Sequence, residues 1–110
     1  MDNALQSAIN AVNLEYRLEQ LAIIEFKETP IIQTRKGLIR KLSTVDYMGV
    51  YNDGHTGRGV AFDAKMCGSK TSIPLTDIRG HQLVFLKYFE AVGGKAFFLI
   101  HFYKIYEDQA

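Results

Sequence analysis

The chain has 110 residues, room for one hydrophobic core and no second. Its 47% apolar and 23% charged content is globular, and a net charge of +1 advertises no polyanion partner through bulk charge. The single cysteine excludes an intrachain disulfide and fits a reducing interior. The N-terminal MDNALQSAIN lacks the basic-then-apolar build of a signal peptide. No apolar run nears the ~20 residues of a membrane span. A cytoplasmic protein without a membrane partner is expected.

Leu5, Ala8, Ile9, Val12 and Tyr16 recur with the period of a helix over 3–20, and Asp2 or Asn3 can cap its start. The β-branched run LAIIEFK (21–27) follows as a strand, interrupted at Thr29-Pro30 because proline cannot donate to a ladder. Residues 31–34 resume it. Arg35, Lys36, Arg40 and Lys41 then cluster around Gly37 without an acid. Such a cluster is a solvated loop or an arm that touches phosphate, and position alone does not separate the two.

The segment from Ser43 to Lys65 reads as two strands joined by a turn at Asn52-Asp53-Gly54. Centring that turn on Gly54-His55 sets Asp46 opposite Asp63 and Thr44 opposite Lys65, with all four side chains on one face. Like charges directly opposite, with Cβ atoms ~5 Å apart, destabilise a sheet. A divalent cation or a shared proton would relieve them. Two carboxylates with hydroxyl or amide oxygens suit Mg²⁺ or Mn²⁺. Lys65 could steady an anionic transition state or orient a water molecule, and the set suits phosphodiester hydrolysis. On the tripeptide alone, Asp63 and Lys65 read first as a simple surface ion pair; Asp46 in register and the apolar helix that follows turn the reading toward a site.

Residues 66–75 form a connection ending at Pro74, and Thr76 or Asp77 caps a second helix running to about Val92. Gln82, Phe85, Leu86, Phe89 and Val92 make its inward face, and Gly93-Gly94 stops it. KAFFLIHFYKIY (95–106) is apolar enough for a central strand covered on both faces. Cys67 lacks a base and reads as a bystander thiol. His55, His81 and His101 lack metal-ligand spacing. Tyr47 and Tyr51 read as core rather than as platforms for a nucleic-acid base.

The segment Ser43–Tyr51 resembles the STxDYxGxY signature of RecU-type Holliday-junction resolvases, and Phe62-Asp63-Ala64-Lys65 is similar to that family's F-E-A-K. The likeness extends to residues 71–75, His81-Gln82 and 93–98, and upstream to Ile9-Asn10, Asn13, Tyr16 and Thr29-Pro30. It implies a PD-(D/E)xK nuclease fold of restriction-endonuclease type: an α/β (α+β) domain over 1–110, its central mixed sheet flanked by helices. It also implies a homodimer acting on branched DNA such as the four-way junction, and it admits a recombinase partner. Thr44, Asp46, Asp63 and Gln82 fall at its metal positions, and Lys65 falls at its transition-state-stabilising lysine. Only the resemblance singles out Gln82.

Asp63 stands where the family usually has Glu, and Gln6 where it tends to have Glu. The projecting stalk is reduced to a short basic segment at 31–42. The expected activity is Mg²⁺-dependent junction cleavage by paired nicks in recombination and repair, with Arg35, Lys36, Arg40 and Lys41 on DNA. The trimmed stalk motivates two alternatives. One is a nuclease of the same fold for other branched or duplex DNA; the other is a decayed, DNA-binding or recombinase-modulating protein.

Overall fold

The computed structural model describes residues 3–27, 31–40, 45–68 and 78–103. The expectations placed on Asp2, Thr29-Pro30, Lys41, Thr44, Pro74, Thr76, Asp77 and 104–106 lie outside them. Helix α1 (Asn3–Leu18) leads into strand β1 (Ala22–Phe26). Strands β2 (Ile31–Thr34) and β3 (Gly37–Arg40) pair only with each other in a two-stranded sheet. Strands β4 (Tyr47–Asn52) and β5 (Gly57–Cys67), helix α2 (Gly80–Ala91) and strand β6 (Lys95–Phe102) follow. The main sheet has the order β1-β4-β5-β6, antiparallel except for the parallel pair β5–β6 that α2 connects. This is the expected mixed α/β architecture, with a helix on each face of the sheet.

Strand alternation divides the core between those faces. On one, Ile9 and Leu5 of α1 meet Tyr47, Val60, Phe62 and Ala64. On the other, Leu86, Phe85 and Phe89 of α2 meet Val45, Ala61 and Phe98. One aromatic ring from each strand stands in line on the α1 face: Phe26, Tyr47, Phe62 and Phe97. Consecutive ring centroids lie 5.4, 4.9 and 4.9 Å apart. Each contact follows the register, which pairs Phe26 with Tyr47, Tyr47 with Phe62 and Phe62 with Phe97. Slipping any strand by one residue would send its ring to the opposite face, so this row pins all four registers.

Several local expectations are corrected. The buried line of α1 is Leu5, Ile9 and Asn13; Ala8 is exposed, and Val12 and Tyr16 are 43% and 40% exposed. The helix is seated about one residue around from its apolar stripe because Asn13 turns inward. Residues 37–40 are a strand, not a loop, with Arg35-Lys36 as the turn. Gly37 at φ 113° permits the reversal. Helix α2 starts at Gly80 with Arg79 at its N-cap position, and Val92 lies past its end and is 86% exposed. Strand β6 is an edge of the sheet among the described residues, not a central strand. Its Phe97 and Leu99 remain partly exposed because α1 packs over the β1 side.

Both helices end in the same motif. In α1 the Leu21 N–H donates to the Tyr16 carbonyl at 2.9 Å and the Gln20 N–H to Arg17 at 3.1 Å. In α2 the Gly94 N–H donates to Phe89 at 3.1 Å and the Gly93 N–H to Glu90 at 3.0 Å. Each requires a left-handed residue after the cap. Gly93 meets this at φ 105° without a side-chain penalty, whereas Gln20 sits at φ 61° with one. Gln20→Gly should therefore raise stability by about 1 kcal/mol, read from the urea or thermal midpoint.

Gly49 is constrained by close approach rather than by φ. A Cβ there would overlap the carbonyl oxygen of Ile23 and lie 2.6 Å from the Ile24 Cα on β1. Gly49→Ala must push β1 away from β4, and it should cost about 3 kcal/mol or more of unfolding free energy. An unchanged denaturation midpoint would contradict that packing.

Candidate active site

The hairpin of β4 and β5 builds the site. Its loop closes through Asp53, whose carboxylate accepts the backbone N–H groups of His55 at 2.9 Å and Thr56 at 3.0 Å. Gly54 takes φ 98°. These bonds hold the Asp53 carboxyl below its ordinary pKa. The strands then pair Asn52 with Gly57 and so on to Tyr47 with Phe62. That register is symmetric about Gly54-His55, as the turn residues predict, and its next step is Asp46 beside Asp63.

At that step the chain bends, and carboxylates take over from the ladder. The Asp46 N–H donates to Asp63 Oδ1 at 3.0 Å, and the Ala64 N–H donates to Asp46 Oδ2 at 3.3 Å. Each acid is thus held by the backbone of the opposite strand. Asp63 Oδ2 is 2.9 Å from Lys65 Nζ, which also donates to Gln82 Oε1 at 2.9 Å. The surface-pair reading of Asp63 and Lys65 fails on burial, since their side chains are 3% and 16% exposed. Gln82 is buried in the first turn of α2, which docks it against Lys65 through Leu86 and Phe85.

The electrostatics leave an excess of negative charge. Burial first, and then the Asp63 charge, push the Asp46 carboxyl up to about 6, while the Ala64 N–H and Lys65 only partly oppose them. One lysine does not neutralise two acids. A cation near Asp46 would, and the donors present are hard oxygens: two carboxylates and the Gln82 amide. Among the described residues no group of three or more His, Cys, Asp or Glu is placed to hold a metal ion, so the donors here are the two carboxylates and the amide oxygen. The donor set fits a hard divalent ion.

The structure brings Asp46, Asp63, Lys65 and Gln82 together; Thr44 lies outside the described residues. Among the described residues, the β2–β3 hairpin that carries the basic cluster forms a sheet separate from the one that holds Asp63 and Lys65. Arg35 and Lys36 are exposed at the tip of the β2–β3 hairpin, and Arg40 ends β3. Cys67 is buried at the end of β5, His55 lies in the hairpin loop, and Tyr47 is fully buried. Two supports were not foreseen. The Tyr47 hydroxyl donates to Asn10 Oδ1 at 3.1 Å, tying α1 to the strand that carries Asp46. The Lys27 N–H donates closely to the Asp46 carbonyl at 2.6 Å, so the end of β1 flanks the carboxylates. Alternation on β1 together with the β1–β4 register would have pointed to Lys27, but the sequence does not reveal which strand is β4's partner.

No described helix is long and apolar enough to cross a membrane. The chain is 34% identical to a Holliday junction resolvase RecU of Pediococcus pentosaceus over 93% of its own length and 55% of the relative's. Against the protein of that name from Lactococcus lactis subsp. lactis the identity is 35%, over 93% and 52%. Against that of Streptococcus mutans it is 33%, over 90% and 54%. The chain thus spans about half the length of the curated relatives it matches. A family profile described as Recombination protein U matches residues 3–108. With that coverage and a hairpin that delivers Asp46, Asp63 and Lys65 to one buried cluster, the chain belongs to the RecU family.

Proposed function

We propose that this chain is a metal-dependent endodeoxyribonuclease that nicks branched DNA, with the four-way junction as its substrate. One observation carries the reading: a buried and a half-buried carboxylate lie beside a largely buried lysine, with too little positive charge to balance them. The relatives' name, Holliday junction resolvase, supports the substrate. In this reading residues 1–110 form one nuclease domain, and 31–42 is a short basic extension bearing Arg35, Lys36, Arg40 and Lys41 toward DNA. Two copies, each nicking one strand, would suit a junction with symmetric arms.

Asp46, Asp63 and Gln82, with Thr44, would hold Mg²⁺ or, as a substitute, Mn²⁺. The ion would supply Lewis acidity at the scissile phosphate and a lowered pKa for bound water. Asp63 is fixed by the Asp46 N–H and by Lys65, so its position is set before substrate arrives. Asp46 is the adjustable acid: protonated below about pH 6 and anionic above it. Lys65 stands between Asp63 and Gln82, where its ammonium can meet the negative charge that grows on phosphate oxygens.

The β2–β3 hairpin supports a second reading. Its described strands, four residues each, are short for reaching into a junction centre, which favours flaps, nicks or plain duplex as substrates. Equal cleavage rates on a four-way junction and a linear duplex of the same sequence would establish that reading over the first. Asp46→Asn keeps the side chain's shape and should lower cleavage in Mg²⁺ by at least about a thousandfold while junction binding stays near that of the parent. Full cleavage by this variant would remove Asp46 from the site.

A pH series tests the electrostatics separately. The folded pKa of Asp46 is raised from 3.8 to about 6, so the native state binds more protons than the unfolded chain between those values. Its contribution to stability is therefore most favourable below about pH 4 and is lost as pH rises through 6. In metal-free buffer Asp46→Asn should be more stable than the parent at pH 7.5. The gain is on the order of 1 kcal/mol after discounting for half-exposure, and it should vanish near pH 4. Thermal stabilisation by Mg²⁺ should fade below pH 6, because a carboxylate must lose its proton to bind an ion.

A further inference from the structure

We infer that Lys27 is a phosphate-binding residue for the DNA strand at this site, a role that rests on the nuclease reading above. Phe26 packs edge-on against Tyr47 on the α1 face, so its successor Lys27 projects from the opposite face, the one that carries Met48, Asp63, Lys65 and Gln82. Its backbone is anchored next to the site, the N–H donating to the Asp46 carbonyl at 2.6 Å. Its ammonium is exposed, and its one described contact is Met48 Sδ at 3.5 Å, with no carboxylate within ion-pair range among the described residues.

Lys65 is the contrast. That ammonium is buried and committed to Asp63 and Gln82. Lys27 is a strongly hydrated point charge on a flexible stem, held at the rim by its backbone and touching, among the described residues, only the soft Met48 sulfur at its tip. Helix α2 packs over β5 and β6 on this face, while Ile23 of β1 and Val50 of β4 are each 54% exposed. An open floor therefore covers the β1–β4 side of this face, with Lys27 at the end nearest Asp46 and Glu25, held by Arg17, between Lys27 and Ile23. A strand presenting one phosphate to Asp46 and Asp63 would cross that floor and place a neighbouring phosphate within reach of Lys27. The contact would hold substrate and transition state alike, so its loss should appear in KM more than in kcat.

The test is Lys27→Met in the full chain, which keeps an unbranched side chain of similar length and removes the ammonium with its charge; Lys27→Gln is the second variant and Lys27→Arg the rescue. Binding to a four-way junction is measured in Ca²⁺ across a salt series, and cleavage in Mg²⁺. The inference expects both uncharged variants to lower the slope of log K against log salt by about 0.9, the share of one phosphate. It expects KM to rise roughly tenfold or more with kcat little changed, and Arg to restore both. An unchanged slope in both uncharged variants overturns it, whether or not the parent cleaves. Absence of cleavage by the parent in Mg²⁺ and Mn²⁺ overturns the nuclease reading alone, since the salt slope still decides Lys27. A parent that binds no DNA overturns both.

Discussion

Everything at the site depends on the pairing of Tyr47 with Phe62. Those two rings stack at 4.9 Å inside the core, and one residue further along each strand stand Asp46 and Asp63. Because side chains alternate, the same pairing that buries the aromatics on one face delivers the acids to the other. Two carboxylates would not choose to meet, and their approach is imposed by the apolar and aromatic contacts behind them. Hydrophobic packing thus maintains an electrostatic conflict, and Lys65 relieves only part of it.

The unresolved charge is resolved asymmetrically. Asp63 has the Asp46 N–H and the Lys65 ammonium, whereas Asp46 has a single backbone N–H from Ala64 and the repulsion of its neighbour. One acid is locked and the other is held in reserve. Gln82 arrives from a separate element, carried by α2, and completes the enclosure of Lys65. The centre is therefore assembled from one hairpin and one helix turn, with β1 as a flank.

What could be read from the sequence was the part governed by short-range rules. The turn residues Asn52-Asp53-Gly54 fixed the hairpin's centre, and period-two alternation placed Asp46, Asp63 and Lys65 on one face. Gln82 needed the family resemblance, because its partner Lys65 lies on another element and no local spacing links them. The errors have one origin: sequence periodicity reports how apolar a face is, not what covers it. Val12 and Tyr16 fit the helical stripe of α1, yet the inward turn of Asn13 leaves them outside. Strand β6 is apolar from Ala96 to Ile100, yet it lies at the sheet's edge among the described residues. Lys27 carried no signal at all until β1 was seen to pair with β4.

The hairpin loop also bears on the order in which the chain acquires its chemistry. Asp46 and Asp63 are joined by a tight four-residue reversal, and closing such a loop is among the fastest events available to a polypeptide. The parallel pairing of β5 with β6 must wait for the longer crossover through α2. The two acids can therefore face one another early in folding, before Gln82 is in place. The electrostatic conflict between the carboxylates is met as the hairpin assembles and not at the last step of folding.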